Sequence, residues 1–233
     1  MTARVLIVGA RAGSLGEAVR DEVLRVGMEP VCAGVSGEPV YLDLTDSDPM
    51  DSVLLPVLPR FIVSTAGVNI PQGDWVGSTA SWWAAHFDGN VTGNLRLLAA
   101  YRALLRRERG GWGETQGYAH FVAISSNSAH IPRTGSAAYC ASKAALSMAV
   151  RCEARESLRA REGLLAYVYE PGLLAGTPMT ADAAAAFSGP LTRMQGEAAR
   201  GLSVRGLAEL IVANLSRGVA LSGSRIPYDA DEL

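Results

Sequence analysis

The sequence predicts a doubly wound α/β fold, in which a parallel sheet of about seven strands is covered by helices on both faces. Short apolar runs alternate with longer stretches of helical periodicity along the chain, which indicates repeated β-α-β units. The predicted strands are Arg4–Val8, Pro30–Ala33, Val40–Leu42, Phe61–Ser64, His120–Ile124, Leu165–Tyr169 and Ser224–Tyr228. The predicted helices are Ser14–Val26, Ser47–Leu58, Ser81–Phe87, Val91–Arg107, Ala137–Ala160 and Arg205–Ser216. The pattern reaches the last strand without a linker, so we expect residues 1–233 to form one domain.

The connection between the second and third predicted strands is too short for a helix. It consists of GVSGEP at residues 34–39. Six extended residues span roughly 20 Å, enough to return along a short strand. The second crossover is therefore expected to lack its helix.

Composition limits the classes of partner. Apolar residues make up 48% of the chain, and the formal net charge of −2 gives no electrostatic reason to expect a nucleic acid or an anionic membrane as partner. No apolar run approaches the ~20 residues of a transmembrane helix, and the N-terminus does not resemble a signal peptide. The three cysteines and three histidines lack metal-ligand spacing. We expect a cytoplasmic protein without a metal.

A glycine-rich segment, GARAGSLG at residues 9–16, follows the first predicted strand and leads into the first predicted helix. Unpaired N–H groups at a helix N-terminus suit a phosphate group. However, Gly9, Gly13 and Gly16 do not have the G-x-G-x-x-G spacing of the usual dinucleotide fingerprint. Alone, the segment is compatible with a cofactor loop or with a tight turn.

Tyr139 and Lys143 are candidates for acid–base chemistry. They are four residues apart in a predicted helix and therefore share one face. A phenol has a pKa of about 10, and a nearby ammonium group lowers it towards the range useful for proton transfer. Ser126, thirteen residues before Tyr139, lies at the end of the fifth predicted strand. Taken alone, the tyrosine–lysine pair is more often a surface pair.

Together these segments resemble the short-chain dehydrogenase/reductase family over nearly the whole chain. The glycine segment is similar to the T-G-x-x-x-G-x-G motif of that family, and Ser126, Tyr139 and Lys143 have its catalytic spacing. Further similar segments are DLTD at 43–46, TAG at 65–67, WAAHFDGN at 83–90, EPGLLAGTPM at 170–179 and LSGSRIPYDAD at 221–231.

The resemblance implies a Rossmann-like oxidoreductase that interconverts a ketone and a secondary alcohol with NAD(P)H. Tyr139 would exchange a proton with the substrate oxygen, and Ser126 would hold that oxygen by a hydrogen bond. Lys143 would bind the nicotinamide ribose and lower the pKa of Tyr139. Asn90 would anchor a water molecule that links Lys143 to solvent.

The resemblance also implies a set of cofactor-binding residues. They are Gly9, Arg11, Gly13, Ser14, Leu15, Asp43, Leu44, Ala66, Gly67, Tyr139, Lys143, Pro171, Gly172, Leu174 and Thr177. Residues 34–36, where NAD-preferring members carry an aspartate, contain no acidic group, and Arg11 can pair with a 2′-phosphate. The sequence therefore favours NADP(H), with NAD(H) as the alternative.

Several residues depart from the family pattern. Val8 replaces the threonine of the glycine motif, and the loop is one residue longer. Ser64 and Thr65 replace two asparagines, which predicts weaker support of the central sheet. Glu170 stands where asparagine is usual, either as a substrate contact or as a solvated loop carboxylate. The missing crossover helix leaves the adenine pocket less covered.

The expected partners are a small carbonyl or alcohol substrate and further copies of the chain. The segment 175–201 would cover an apolar substrate pocket, and the helices near 91–107 and 137–160 would form a homodimer or homotetramer. Two other functions stay open: an epimerase or dehydratase on the same fold, and a cofactor-binding regulator without turnover.

Overall fold

The computed structural model describes residues 2–46, 50–70, 76–107, 117–181, 203–217 and 222–228. Its seven strands form one parallel sheet in the order β3-β2-β1-β4-β5-β6-β7. The strands are β1 Arg4–Val8, β2 Glu29–Gly34, β3 Val40–Tyr41, β4 Phe61–Ser64, β5 Ala119–Ile124, β6 Leu164–Pro171 and β7 Arg225–Tyr228. Every predicted strand is confirmed, and no strand end differs from its predicted position by more than two residues.

The helices with both ends in the described part of the chain are α1 Leu15–Arg25, α2 Asp51–Val57, α3 Ala80–Phe87, α4 Gly93–Arg107, α5 Ala137–Ala160 and α6 Val204–Arg217. The predicted helix over 47–58 begins at Asp51, and residues 47–49 lie outside the described residues. A π-helical turn, Asp88–Thr92, joins α3 to α4, so the predicted helix start at Val91 falls inside that turn. Most of the predicted substrate-covering segment 175–201 also lies outside the described residues.

The central strands are buried on both faces, as their continuous apolar runs require. Leu6 and Val8 of β1 pack into a core shared with α2, α4 and α5. Val5 and Ile7 point the other way, into a core shared with α1 and α6. All four side chains are at most 1% exposed. This arrangement confirms the doubly wound architecture.

The chain reverses its direction of winding between β1 and β4, which are neighbours in the sheet. In open parallel sheets, ligands bind at such a switch point, beyond the carboxyl ends of the strands. The link between β2 and β3 contains no helix, as predicted, so the turn at 35–39 forms that edge of the crevice.

Candidate active site

A cavity of about 1010 Å³ lies at the carboxyl ends of the strands. Its walls include the predicted catalytic residues Ser126, Tyr139 and Lys143. They also include the predicted cofactor residues Gly9, Arg11, Ser14, Leu15, Asp43, Leu44, Ala66, Gly67, Pro171, Gly172, Leu174 and Thr177. Among the described residues, Gly13 and Asn90 are the two predicted site residues that do not line it.

The glycine loop turns the chain sharply from β1 into α1. Gly9 and Gly13 adopt φ angles of +88° and +75°, which favour glycine. Ser14 caps α1, because its hydroxyl accepts a hydrogen bond from the Glu17 N–H at 3.3 Å and donates to the Gly9 carbonyl at 3.2 Å. The Gly13 N–H is bound by the Glu17 carboxylate at 2.7 Å. The loop is thus fixed by its own polar contacts.

Glu38 is a cavity residue that the sequence analysis missed. Its carboxylate folds back over the end of β2, within 2.7 Å of where a Cβ on Gly34 would lie. The same carboxylate accepts a hydrogen bond from the Ser36 N–H at 2.8 Å. Sequence position alone placed Glu38 in the turn after β2, and only the path of that turn returns its charge to the strand end.

Asp43 and the end of β4 form neighbouring parts of the wall. Asp43 accepts hydrogen bonds from the N–H and hydroxyl of Thr45 at 2.8 and 2.7 Å. Ser64 donates to the Asn94 side chain at 2.6 Å, and the Thr65 hydroxyl lies 2.9 Å from the Val8 carbonyl and 3.0 Å from that of Gly9. Ser64 and Thr65 therefore tie β4 to α4 and β1, so the weaker sheet support expected from their substitution is not seen in these contacts.

Ser126 lies two residues after the end of β5 and begins a single 3-10 turn, Asn127–Ala129. Its hydroxyl accepts a hydrogen bond from the Ser128 N–H at 3.1 Å, which fixes the side chain at the cavity wall. The same hydroxyl is hydrogen-bonded to Tyr139. Ser126 and Tyr139 thus present adjacent hydroxyl groups to the cavity.

Helix α5 carries both Tyr139 and Lys143. The Lys143 ammonium donates to the Ile124 carbonyl at 2.9 Å and lies 5.7 Å from the centre of the Tyr139 ring. A Cβ on Gly67 would lie 3.1 Å from Lys143 Nζ, so the glycine leaves room for the lysine. The predicted pairing on one helix face is present.

The pKa values of this pair run against the sequence expectation. Burial raises the pKa of Tyr139 to about 12, although the hydrogen bond with Ser126 acts to lower it. Burial also lowers the pKa of Lys143 to about 8. The predicted lowering of the Tyr139 pKa is wrong, because burial disfavours the charged form of both groups.

Asn90 lies in the π-helical turn and is fully buried. Its side-chain amide accepts from the Val68 N–H at 2.7 Å and donates to the Val68 carbonyl and the Ser142 hydroxyl, both at 2.9 Å. The Asn90 side chain therefore fastens the loop after β4 to α5. Its role in anchoring a water molecule stays a prediction.

A second group of contacts, which the sequence did not predict, also holds the loop after β4. His86, fully buried in α3, accepts a hydrogen bond from the Ile70 N–H at 3.1 Å through Nε2 and donates to the Trp82 carbonyl at 2.8 Å through Nδ1. The Trp82 indole donates to the Ile70 carbonyl at 2.7 Å. Asn69, which lines the cavity beside Ile70, carries a buried side-chain oxygen without a hydrogen-bond partner.

Glu170 corrects a further expectation. Glu170 is not solvated, since it is 2% exposed within β6. It also does not line the described part of the cavity. The carboxylate is bound by Ser147, His130 and Arg225. Both alternatives from the sequence, a substrate contact and a solvated loop carboxylate, are therefore wrong.

Two features are absent from the described residues. None of their helices combines the length and the apolar character needed to cross a membrane. Nor do these residues contain a cluster of three histidines, cysteines or carboxylates that could hold a metal ion.

Several solved structures share the fold at low sequence identity. The structure of ElxO with NADP bound is 16% identical, with a TM-score of 0.80 over 98% of both chains. The ligand-free aldohexose dehydrogenase of Thermoplasma acidophilum is 18% identical, with a TM-score of 0.79 over 98% of this chain and 92% of the other. Acetoin dehydrogenase from Enterobacter cloacae is 18% identical, with a TM-score of 0.78 over 98% and 94%.

The sequence comparison identifies the family. No curated protein gives a significant match to the chain. Residues 42–186, more than half of the chain, match the short chain dehydrogenase family. This segment runs from the end of β3 beyond β6 and contains Ser126, Tyr139 and Lys143. The chain therefore belongs to the short chain dehydrogenase family and is an NAD(P)-dependent oxidoreductase that acts on a small molecule.

Proposed function

We propose that this oxidoreductase interconverts a ketone and a secondary alcohol, with Ser126, Tyr139, Lys143 and Asn90 as its catalytic set. The observation that carries the proposal is the hydrogen bond between the Ser126 and Tyr139 hydroxyls at the cavity wall. Two adjacent hydroxyl groups can both reach one carbonyl oxygen, one to orient it and the other to protonate it. Lys143 lies beneath the tyrosine ring.

NAD(P)H, when bound, supplies the hydride that adds to the carbonyl carbon. The Tyr139 hydroxyl then gives its proton to the substrate oxygen while Ser126 holds that oxygen. With a pKa of about 12, Tyr139 is protonated at neutral pH and can act as the acid. Lys143, with a pKa of about 8, is mostly an ammonium at pH 7 and can return a proton to Tyr139. These protonation states supply the acid that carbonyl reduction needs at pH 7.

The cavity walls suit the parts of a nicotinamide dinucleotide. The glycine loop offers the N-terminus of α1 to the phosphates. Asp43 and Leu44 would border the adenine end, and Pro171, Gly172, Leu174 and Thr177 would border the nicotinamide end, since all six line the cavity. A substrate pocket next to the nicotinamide would be apolar, because Val68, Leu173 and Met179 also line the cavity.

Turnover tests the proposal directly. Purified protein is titrated with NADPH and NADH through quenching of tryptophan emission, and then assayed with cyclohexanone and acetophenone through loss of nicotinamide absorbance. We expect saturable cofactor binding and formation of the secondary alcohol. If the cofactor binds but is consumed with neither ketone, the result contradicts the proposal and favours a regulator, or an epimerase if a product of unchanged oxidation state forms.

The cofactor preference is a second part of the proposal. We propose NADP(H), because Arg11 is exposed at the cavity and no acidic residue directly follows β2. Glu38 opposes this preference, since its carboxylate stands at the end of β2, where a ribose 2′-hydroxyl would be accepted and a 2′-phosphate repelled. The preference of the wild-type protein is therefore expected to be only a few-fold.

Glu38→Gln is expected to tighten NADPH binding about tenfold while leaving NADH within about twofold, because glutamine keeps the size and the Ser36 contact but removes the charge. Arg11→Ala is expected to weaken NADPH about tenfold and to spare NADH. The dissociation constants of both cofactors measure the effect at two salt concentrations. An equal change for NADPH and NADH in either variant would place the 2′-position elsewhere in the cavity.

The family likeness also supports self-association. We propose a homodimer or homotetramer formed through α4 and α5. Met148 and Leu158, both on α5, are exposed. Helix α5 carries small residues, which permit close approach of a helix from a partner subunit. Sedimentation of the purified protein measures this state, and a monomer at micromolar concentration would contradict it.

A further inference from the structure

We infer that Glu170 is a positioning residue. From outside the cavity wall, it keeps Ser126 and Lys143 in their positions relative to each other. The inference rests on the proposed function of those two residues. Glu170 stands on β6, two residues past Val168, and does not line the cavity. It would therefore act on catalysis through its hydrogen-bonding partners rather than through substrate or cofactor.

The Glu170 carboxylate is the buried centre of a polar network. Its side chain is 1% exposed, and three donors converge on its two oxygens. The Ser147 hydroxyl donates to Oε1 at 2.7 Å, and His130 Nε2 lies 2.9 Å from Oε2. The Arg225 guanidinium on β7 also contacts Oε2. A buried carboxylate is stable only when its charge and lone pairs are matched in this way.

One arm of the network leads to Lys143. Ser147 follows Lys143 by one helical turn and shares its face of α5. The Ser147 hydroxyl is 2.8 Å from the Ser125 hydroxyl, which donates to the Lys143 carbonyl at 2.9 Å. Because the Ser125 proton goes to that carbonyl, Ser147 is the donor both to Ser125 and to Glu170 Oε1, and the charged carboxylate is the stronger acceptor of its single proton. The carboxylate thus anchors the turn of α5 that carries the lysine.

The other arm leads to Ser126. His130 ends the 3-10 turn that Ser126 begins, and the His130 N–H donates to the Asn127 carbonyl at 3.0 Å. Since a carboxylate only accepts hydrogen bonds, His130 Nε2 must carry the proton of its hydrogen bond with Glu170. The far end of the turn is therefore tied to β6. Ser125 fixes the near end, because its N–H donates to the Tyr169 carbonyl at 2.8 Å.

The convergence of donors explains why an acidic residue replaces asparagine here. An asparagine offers one acceptor oxygen and turns an NH₂ group, itself a donor, towards the remaining donors. Arg225 belongs to the same arrangement, since it pairs with Val168 in the β6–β7 register and lies diagonally across from Glu170 on the same face. Glutamate and arginine together make the network neutral in charge.

The test compares Glu170→Gln with Glu170→Asp and with a matched control, Glu162→Gln. Glu162 is also a shielded carboxylate bound by arginines, Arg102 and Arg106, but it lies past the far end of α5. Two readouts are taken below the melting temperature of every variant. They are kcat and KM for NADPH-dependent cyclohexanone reduction, and amide hydrogen exchange over 125–131 and 143–148.

We expect Glu170→Gln to lower kcat at least about tenfold with KM for NADPH within about threefold, because the acid–base geometry is lost while the cofactor walls remain. Both segments should exchange faster, and Glu170→Asp should recover part of the rate since it keeps an acceptor-only group. Glu162→Gln should change neither readout. A kcat within twofold of wild type, or faster exchange spread evenly over the chain, would overturn the inference.

His130→Gln covers the case in which Glu170→Gln does not fold, because His130 is 42% exposed and breaks only the Ser126 arm. It should speed exchange over 125–131 and leave 143–148 unchanged, whereas Ser147→Ala should do the reverse. If amide hydrogen exchange is identical in wild type, His130→Gln and Ser147→Ala, the inference is overturned. If wild-type protein binds NADPH but reduces no ketone, the proposed function fails, and the exchange data still decide whether Glu170 couples the two segments.

Discussion

Replacing Tyr139 by phenylalanine is expected to lower kcat for ketone reduction about a thousandfold, the middle of the range for loss of a general acid. The variant keeps the ring that packs beside Lys143 and loses only the hydroxyl hydrogen-bonded to Ser126. Tyr139 is the only phenol among the described residues of the cavity wall. The proton for the product oxygen would have to come from Ser126 or from water, both weaker acids in this setting.

Binding of NADPH separates loss of chemistry from loss of the site. The dissociation constant of Tyr139→Phe should stay within about threefold of wild type, because most cavity contacts come from other residues. Tyr41→Phe is the matched control, since Tyr41 is 67% exposed on β3 and should leave kcat unchanged. If Tyr139→Phe keeps a tenth or more of the wild-type kcat, Tyr139 is not the acid.

The pH dependence of the wild-type enzyme follows from the same groups. Tyr139 remains protonated until pH approaches about 12, so its ionisation does not limit reduction near neutrality. Lys143 loses its proton as pH rises through about 8, and the return of protons to Tyr139 then slows. In the oxidation direction the phenolate is required, so that rate rises with pH.

Local sequence signals predicted much of the fold and of the site. Tyr139 and Lys143 belong to one helix, so their spacing fixes their shared face without any knowledge of the tertiary structure. Ser126 follows a predicted strand, and a parallel sheet brings the ends of its strands to one edge. The strands themselves are predicted by apolar runs such as Val5–Val8, which is buried on both sides.

Contacts between residues that are far apart in the sequence could not be predicted from such local signals. Glu170 owes its burial to His130 and Arg225, which are 40 and 55 residues away in the chain, and no local pattern links them. Glu38 reaches the end of β2 only because the 35–39 turn folds back. The pKa of Tyr139 was predicted in the wrong direction because spacing reveals a neighbouring charge but not the burial that outweighs it.

Gly16→Ala is expected to weaken NADPH binding at least about tenfold and to lower the free energy of unfolding by about 2 kcal/mol, as overpacking of a tight site does. A Cβ at this position would lie 2.5 Å from the Gly9 carbonyl oxygen and 2.7 Å from both Ala10 Cα and Thr65 Oγ1. Two of these atoms are backbone of the glycine loop, so the loop itself must shift. Tryptophan quenching and urea unfolding measure the two effects.

Gly27→Ala, just beyond the other end of α1, provides the control. Gly27 has a φ of +78° and nothing within 4 Å of an added Cβ, so this variant suffers backbone strain without a clash. It should lose about 1 kcal/mol of stability while binding NADPH as wild type does. Gly16→Ala that binds NADPH normally would mean that the glycine loop is a tight turn without a phosphate. Weakened binding in Gly16→Ala alone would mean that close backbone packing, rather than the standard glycine spacing, makes this loop a cofactor site.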